Sequence, residues 1–304
     1  MKILLTGAGG FLGRHIIEKS FNNKNINVIA MSSREELQNV QESNVFFLSN
    51  TDAFNIKWND IDVLINCAFP RNVEGKQMAL GLDFTKNVLE KATKDGVGSI
   101  INISSQSVYG SKRTEVANEC TMLNLESKYA VGKYAVELMT NCICKGIRHT
   151  NIRLASLIGP GFEQRLVNKF VKQSIEEKKL DLIGGKQRYG FLDVRDAAQG
   201  IIKLALNNDK WDEVYNLGIM NGYSILDIAR CVQNVCMEHG VEIRINLEQT
   251  DEWTNSELDC RKIYKQVDWF PEYTLKRTVE DIYFFYSKEN FCENLGDWKV
   301  VSAI

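Results

Sequence analysis

Short apolar runs alternate with longer stretches of helical period through the first half of the chain. Lys2 to Thr6, Asn27 to Met31, Val45 to Leu48, Val63 to Asn66, Ser99 to Ser104 and Thr150 to Leu154 are rich in Ile, Val and Leu and read as strands. Between most of them, 11–21, 76–93 and 128–144 carry apolar residues at helical spacing. Such alternation predicts a parallel sheet covered by helices on both faces, a doubly wound α/β architecture. Its ligand crevice belongs at the carboxyl ends of the strands.

After Gly159-Pro160-Gly161 the pattern loosens. Helices are expected at 165–178, 194–206 and 225–238, a turn at Gly184-Gly185, and a strand at 241–246. The expected organisation is a first domain over 1–155 and a smaller α/β substrate domain over 156–304, with segments near 188–215 returning to the first sheet. No internal repeat or low-complexity linker interrupts it, and the tail beyond Ser287 shows no readable pattern.

Composition narrows the function classes. At 304 residues, with 44% hydrophobic and 25% charged residues and only 3 prolines, the chain has ordinary globular usage throughout. Lysine and arginine number 37 against 39 acids, and Lys178-Lys179 sits among Glu176, Glu177 and Asp181, which argues against counterion-driven binding of nucleic acid. The 8 cysteines form no Cys-x-x-Cys pair and the 3 histidines are far apart, so no metal site is expected. Neither a signal peptide nor a membrane-length apolar run is visible, and a cytoplasmic location is expected.

Two constellations carry chemistry. The first, Thr6-Gly7-Ala8-Gly9-Gly10-Phe11-Leu12-Gly13, follows the first strand and opens the first helix. Glycines at that turn let the backbone approach a pyrophosphate, which then rests on the positive end of the helix, the Rossmann-like arrangement for a dinucleotide. The second strand ends in Met31-Ser32-Ser33-Arg34 where an NAD site usually has a carboxylate. Two hydroxyls and a guanidinium suit a 2'-phosphate, so NADP(H) is favoured over NAD(H); the opposite holds if Arg34 is a solvated charge and Glu35 or Glu36 turns inward.

The second constellation is Tyr129-Ala130-Val131-Gly132-Lys133, which opens a helix just after a strand ending in Ser104-Ser105-Gln106-Ser107-Val108-Tyr109-Gly110. With ten tyrosines, about 0.7 Tyr-x-x-x-Lys pairs arise by chance, so the position gives the spacing its weight. Residues four apart share a helix face, which puts the Lys133 ammonium near the Tyr129 phenol. Proton exchange near neutrality needs the phenol lowered by roughly three units, about 4 kcal/mol; a cation about 4 Å away supplies roughly that at an effective dielectric of 20.

Taken together, the sequence resembles the extended short-chain dehydrogenase/reductase family, in particular its sugar-nucleotide epimerases, dehydratases and ketoreductases. The matching pieces are the glycine turn, Asn66-Cys67-Ala68, Ser104-Ser105 to Gly110, Tyr129 with Lys133, Arg153 to Gly161, Phe191-Leu192-Asp193-Val194-Arg195-Asp196, Tyr215-Asn216-Leu217-Gly218 and Trp269-Phe270-Pro271. The resemblance implies that Tyr129 exchanges a proton with a sugar oxygen, that Lys133 lowers its pKa and holds the nicotinamide ribose, and that the Ser105 hydroxyl bonds the reacting oxygen. It also implies cofactor contacts from Gly7, Gly10, Phe11, Leu12, Gly13, Cys67, Ala68 and Ser104, and substrate contacts from Gln106, Ser156, Arg165 and Arg188. A homodimer through 76–93 and 128–144 is a further implication. Val131, Tyr134, Ala135, Leu138 and Cys142 offer a face for it, which a plain core face would explain equally well.

Departures from the family's pattern narrow the reaction. Dehydratases carry an Asp-Glu pair after the catalytic hydroxyl; here Gln106-Ser107 stands there, and neither is an acid or base near neutrality. The cysteine and histidine of epimerase-reductases are missing between Ile103 and Tyr109, unless folding brings in others. The family's asparagine three residues after the arginine is Ser156, and the arginine two before Phe191 is Tyr189, with Arg188 adjacent. The expectation is an oxidoreductase acting at C4 of a nucleotide-activated sugar. Reduction of a 4-keto sugar nucleotide leads, 4-epimerisation follows, and a nucleotide-sensing regulator without catalysis is the rival of another class.

Overall fold

The computed structural model describes residues 1–21, 23–33, 43–70, 74–184 and 186–289. In chain order the first half forms β1 (Lys2–Thr6), α1 (Phe11–Phe21), β2 (Asn27–Ser32), β3 (Val45–Ser49), α2 (Asn50–Asn55), β4 (Val63–Asn66), α3 (Gly75–Asp95), β5 (Ser99–Ser105), α4 (Lys128–Ile143) and β6 (Arg148–Leu154). The second half adds β7 (Ser156–Ile158), α5 (Leu166–Glu177), β8 (Lys179–Gly184), β9 (Arg188–Tyr189), β10 (Phe191–Asp193), α6 (Val194–Leu206) and β11 (Val214–Leu217). It closes with β12 (Tyr223–Ser224), α7 (Ile225–Glu238), β13 (Arg244–Gln249), α8 (Arg261–Val267) and α9 (Leu275–Glu289).

Seven strands build one sheet in the order β11-β6-β5-β4-β1-β2-β3, every pair parallel. Parallel strands are buried on both faces, and the alternation of β1 shows it: Ile3 and Leu5 join one core, Leu4 the other. The first core lies under α1 and α6; the second takes Val88, Leu89 and Ala92 from α3. A third, in the second half, gathers α5, α7 and α9 around Leu180 and Leu182 of β8.

A ladder of buried polar side chains crosses the sheet beneath the strand ends. Thr6 donates to Asn66 at 2.7 Å, Asn66 to Asn102 at 3.1 Å, Asn102 to Asn151 at 2.8 Å, and Asn151 to Asn141 at 2.9 Å. The register pairs Thr6 with Asn66, Asn66 with Asn102, and Asn102 with Asn151, so a slip of one strand would strand these groups without partners. The ladder fixes how the loops above it line up.

Candidate active site

The glycine turn takes the shape its composition requires. Gly7 has φ +67, and a Cβ there would stand 2.8 Å from the Ala68 nitrogen; a Cβ on Gly13 would stand 2.4 Å from the Gly7 carbonyl oxygen. Two lobes of one groove meet at this turn, sharing Gly7, Gly10 and Phe69. One, of about 530 Å³, carries Ser32, Ser33, Asn50 and Ala68. The other, of about 500 Å³, carries Ser105, Gln106, Tyr129, Lys133, Ser156 and Arg165. Two lobes either side of a helix N-terminus fit a dinucleotide laid with its diphosphate over Gly10, where a side chain would intrude.

Tyr129 and Lys133 stand one turn apart on α4, whose start is fixed by Ser127 Oγ accepting the Ala130 N–H at 3.1 Å. Lys133 is buried and donates to the Ile103 carbonyl at 2.7 Å. Burial pushes its ammonium down to about 8, against the opposing pull of Cys67 and Glu137. Ser105 closes β5 and lines the same lobe as this pair. Its Oγ accepts the Ser107 N–H at 3.2 Å and the Ser107 hydroxyl at 3.0 Å, which leaves its own hydrogen for a group in the groove.

Most of the residues singled out in the sequence converge here. Gly7, Gly10, Phe11, Leu12, Gly13, Cys67, Ser104, Ser105, Gln106, Tyr129, Lys133, Ser156 and Arg165 line the one lobe; Ser32, Ser33 and Ala68 line the other. Ser104 lines its lobe while its hydroxyl donates to Glu137, a buried carboxylate also paired with Arg153 at 2.8 Å. Arg188 is placed apart from the glycine turn. It lies on β9, donating to the Gly222 carbonyl at 2.7 Å and to Glu257 at 3.0 Å, and lines neither lobe. Its neighbour Tyr189 stacks on Phe191. Arg34, Glu35, Glu36 and Gly185 lie outside the described residues.

Folding also brings in residues that the sequence did not flag. Phe69 lines both lobes, and Phe162 stacks on Phe11 at 4.2 Å, tying the loop after β7 to the glycine turn. Their pairing joins positions about 150 apart, and no local pattern announces it. Cys67 is a cysteine brought to the lobe by folding, but burial pushes its thiol up to about 12, which keeps it neutral. Among the described residues no group of three or more His, Cys, Asp or Glu is placed to hold a metal ion, and no helix is long and apolar enough to cross a membrane.

A profile of the NAD dependent epimerase/dehydratase family matches residues 3–218, which include the glycine turn, Ser105, Tyr129 and Lys133. The chain belongs to that family. Similar curated proteins include UDP-glucuronic acid decarboxylase 1 of Xenopus tropicalis, 24% identical over 95% of this chain and 72% of that protein. An uncharacterized UDP-glucose epimerase of Bacillus subtilis is 24% identical over 91% of this chain and 95% of its own length. Among solved structures, UDP-glucuronic acid 4-epimerase from Bacillus cereus in complex with NAD superposes with a TM-score of 0.80 at 24% identity, covering 95% of this chain and 99% of that one. This last likeness is one of fold: the seven-stranded parallel sheet with its flanking helices.

Proposed function

We propose that the protein is a nicotinamide-dependent oxidoreductase acting at C4 of a nucleotide-activated sugar, with reduction of a 4-keto sugar nucleotide as its leading reaction. The observation that carries this reading is one groove that Tyr129 and Lys133 of α4 line together with Ser105 of β5 beside the glycine turn. A nicotinamide dinucleotide, when bound, supplies the hydride chemistry at the sugar carbon. Gly7, Gly10, Phe11, Leu12 and Gly13 hold its diphosphate, and Cys67 and Ala68 wall the groove. Ser32 and Ser33 sit in the lobe suited to the adenosine, with no acidic residue among the described residues lining it, which favours NADP(H) over NAD(H).

The chain's own groups divide the remaining work. Tyr129 gives its phenolic proton to the sugar oxygen in the reducing direction and takes it back in the other. Lys133 stabilises the phenolate and binds the nicotinamide ribose, while Ser105 donates a hydrogen bond to the reacting oxygen. Gln106, whose Nε2 donates to Ser156 Oγ at 3.3 Å, and Ser156 itself line the sugar side; Arg165 at the start of α5 lines the same lobe and supplies a cation for the substrate's diphosphate in this reading. Gln106 and Ser107 have no acid or base for eliminating water, which argues against a dehydratase.

The second reading is 4-epimerisation, favoured by the relatives named as epimerases and by the NAD in the Bacillus cereus structure. The two separate in one experiment: purified protein is given UDP- or dTDP-linked 4-keto hexoses with NADPH or NADH, and the nicotinamide absorbance is followed. Stoichiometric consumption of NADPH is the expected result. Interconversion of two 4-hydroxyl epimers without added reductant, by protein purified with bound NAD, establishes the epimerase instead. Binding of nucleotide sugar with no turnover in either assay establishes the regulator.

A further inference from the structure

Phe69, three residues beyond the end of β4, is an aromatic ring that touches both members of the proposed catalytic pair. The Lys133 Nζ lies 4.5 Å from its ring centroid, over the face, and the Tyr129 ring meets it edge-on at 5.5 Å and 82°. The ring reaches this place because α4 has Gly132 beside it: a Cβ there would stand 2.9 Å from Phe69 Cζ, and 2.5 Å from Met78 Cε on α3. Glycine inside a helix costs about 1 kcal/mol relative to alanine. Here it opens the slot that the ring occupies.

We propose that Phe69 is a positioning residue for the Tyr129–Lys133 pair: its face binds the Lys133 ammonium and its T-shaped contact aligns the Tyr129 ring, so the pair is held ready before substrate arrives. An ammonium has three donors and no acceptor, and one donor goes to the Ile103 carbonyl. The π-face offers the charge a second partner in a site that has stripped away its water. Among the described residues, few other titratable groups surround Lys133. Cys67 faces it from the end of β4, and Tyr129 and Glu137 from its own helix; β5 brings the Ser104 hydroxyl and β6 brings Arg153, both to Glu137, and α3 brings the apolar Met78 against Gly132. Cys67 is held neutral and Glu137 is paired with Arg153, so the ring is placed to matter. This inference rests on the proposed function only in calling the pair catalytic.

The test replaces Phe69 in the full chain by 4-fluoro- and then pentafluorophenylalanine, which keep the ring's shape and progressively remove its negative face. Lysine-selective carbon-13 NMR follows Lys133 through its titration, with Lys133→Met identifying the resonance. The midpoint should fall stepwise along the series, by about half to one pH unit in all, and rise again with Phe69→Trp. The alkaline limb of kcat/KM should move down with it. A midpoint unchanged across the folded variants overturns the proposal, because packing alone is blind to fluorination. A wild-type protein that turns over no nucleotide sugar overturns the proposed function and leaves the NMR series to decide this inference.

Discussion

At the scale of single residues, the proposed site depends on Lys133, whose chemistry is set by burial, and on Tyr129, whose hydroxyl must stay accessible. Lys133, held at about 8 by desolvation, is a cation at neutral pH whose charge is lost as the pH rises past that point, so activity should fall along an alkaline limb. Tyr129→Phe removes the proton-exchanging hydroxyl and keeps the ring that meets Phe69. Turnover should drop by roughly 100- to 10,000-fold while calorimetric affinity for the dinucleotide stays close to that of the parent. Turnover within a few-fold of the parent would take Tyr129 out of the mechanism. These residues were legible because their signal is local: two residues four apart on one helix face, and a hydroxyl at a strand end. Phe69 was not, since its meaning depends on Gly132 of another element. Arg188, expected at the substrate, lines neither lobe, and its partner Glu257 is 69 positions away, beyond the reach of any local pattern.

The turns and helices follow how much of each boundary is written locally. Helices α6 and α7 begin where 194–206 and 225–238 placed them, because Asp193 and Ser224 cap their first turns, the latter in a reciprocal capping box with Asp227. The strand expected at 241–246 forms three residues later. Gly240 turns left-handed at φ 78 and the Val241 N–H bonds the Cys236 carbonyl at 2.9 Å, so Val241 finishes the helix instead of starting the strand. Helix α9 has no counterpart among the expected elements, although Leu275, Val279, Ile282, Tyr283 and Tyr286 carry helical spacing into the third core. Short β9, β10 and β12 have too few residues for any period to show. The glycine turn permits a sharper test of an element. Gly10 faces both lobes, with only the Gly7 carbonyl within reach of a Cβ at 3.1 Å, whereas Gly13 would collide with backbone at 2.4 Å. Gly10→Val should therefore fold yet lose dinucleotide binding, and Gly13→Val should lose the fold itself. Calorimetry and thermal unfolding of the two variants distinguish them. Undiminished binding by folded Gly10→Val would relocate the diphosphate.

In the whole molecule, α4 faces two ways, and this decides what its outer residues can be doing. Its inner side is Ala130, Lys133, Val136, Glu137 and Thr140, all buried against the sheet. Val131 and Leu138 remain 50% and 48% exposed and Cys142 is exposed, while Ala135 is half-buried and Tyr134 packs in part on the first core, so a core within the protomer does not account for the stripe of Val131, Leu138 and Cys142. We propose that a second copy of the chain covers it, α3 and α4 of one protomer packing on those of its partner. The same helix would then carry the catalytic pair on its inner side and the dimer contact on its outer side, and pairing would stiffen the element that sets the Tyr129–Lys133 geometry. Light scattering should give twice the 34.6 kDa chain mass. Introducing a charge into an apolar interface core leaves it unpaired in the complex and solvated in the monomer, so Leu138→Glu should shift the mass to that of one chain with little loss of monomer stability. Turnover should then fall through kcat more than through KM, because the groove of each protomer is complete on its own. A parent protein that runs as a monomer at micromolar concentration, or a Leu138→Glu variant that stays dimeric, would show that the stripe serves something else.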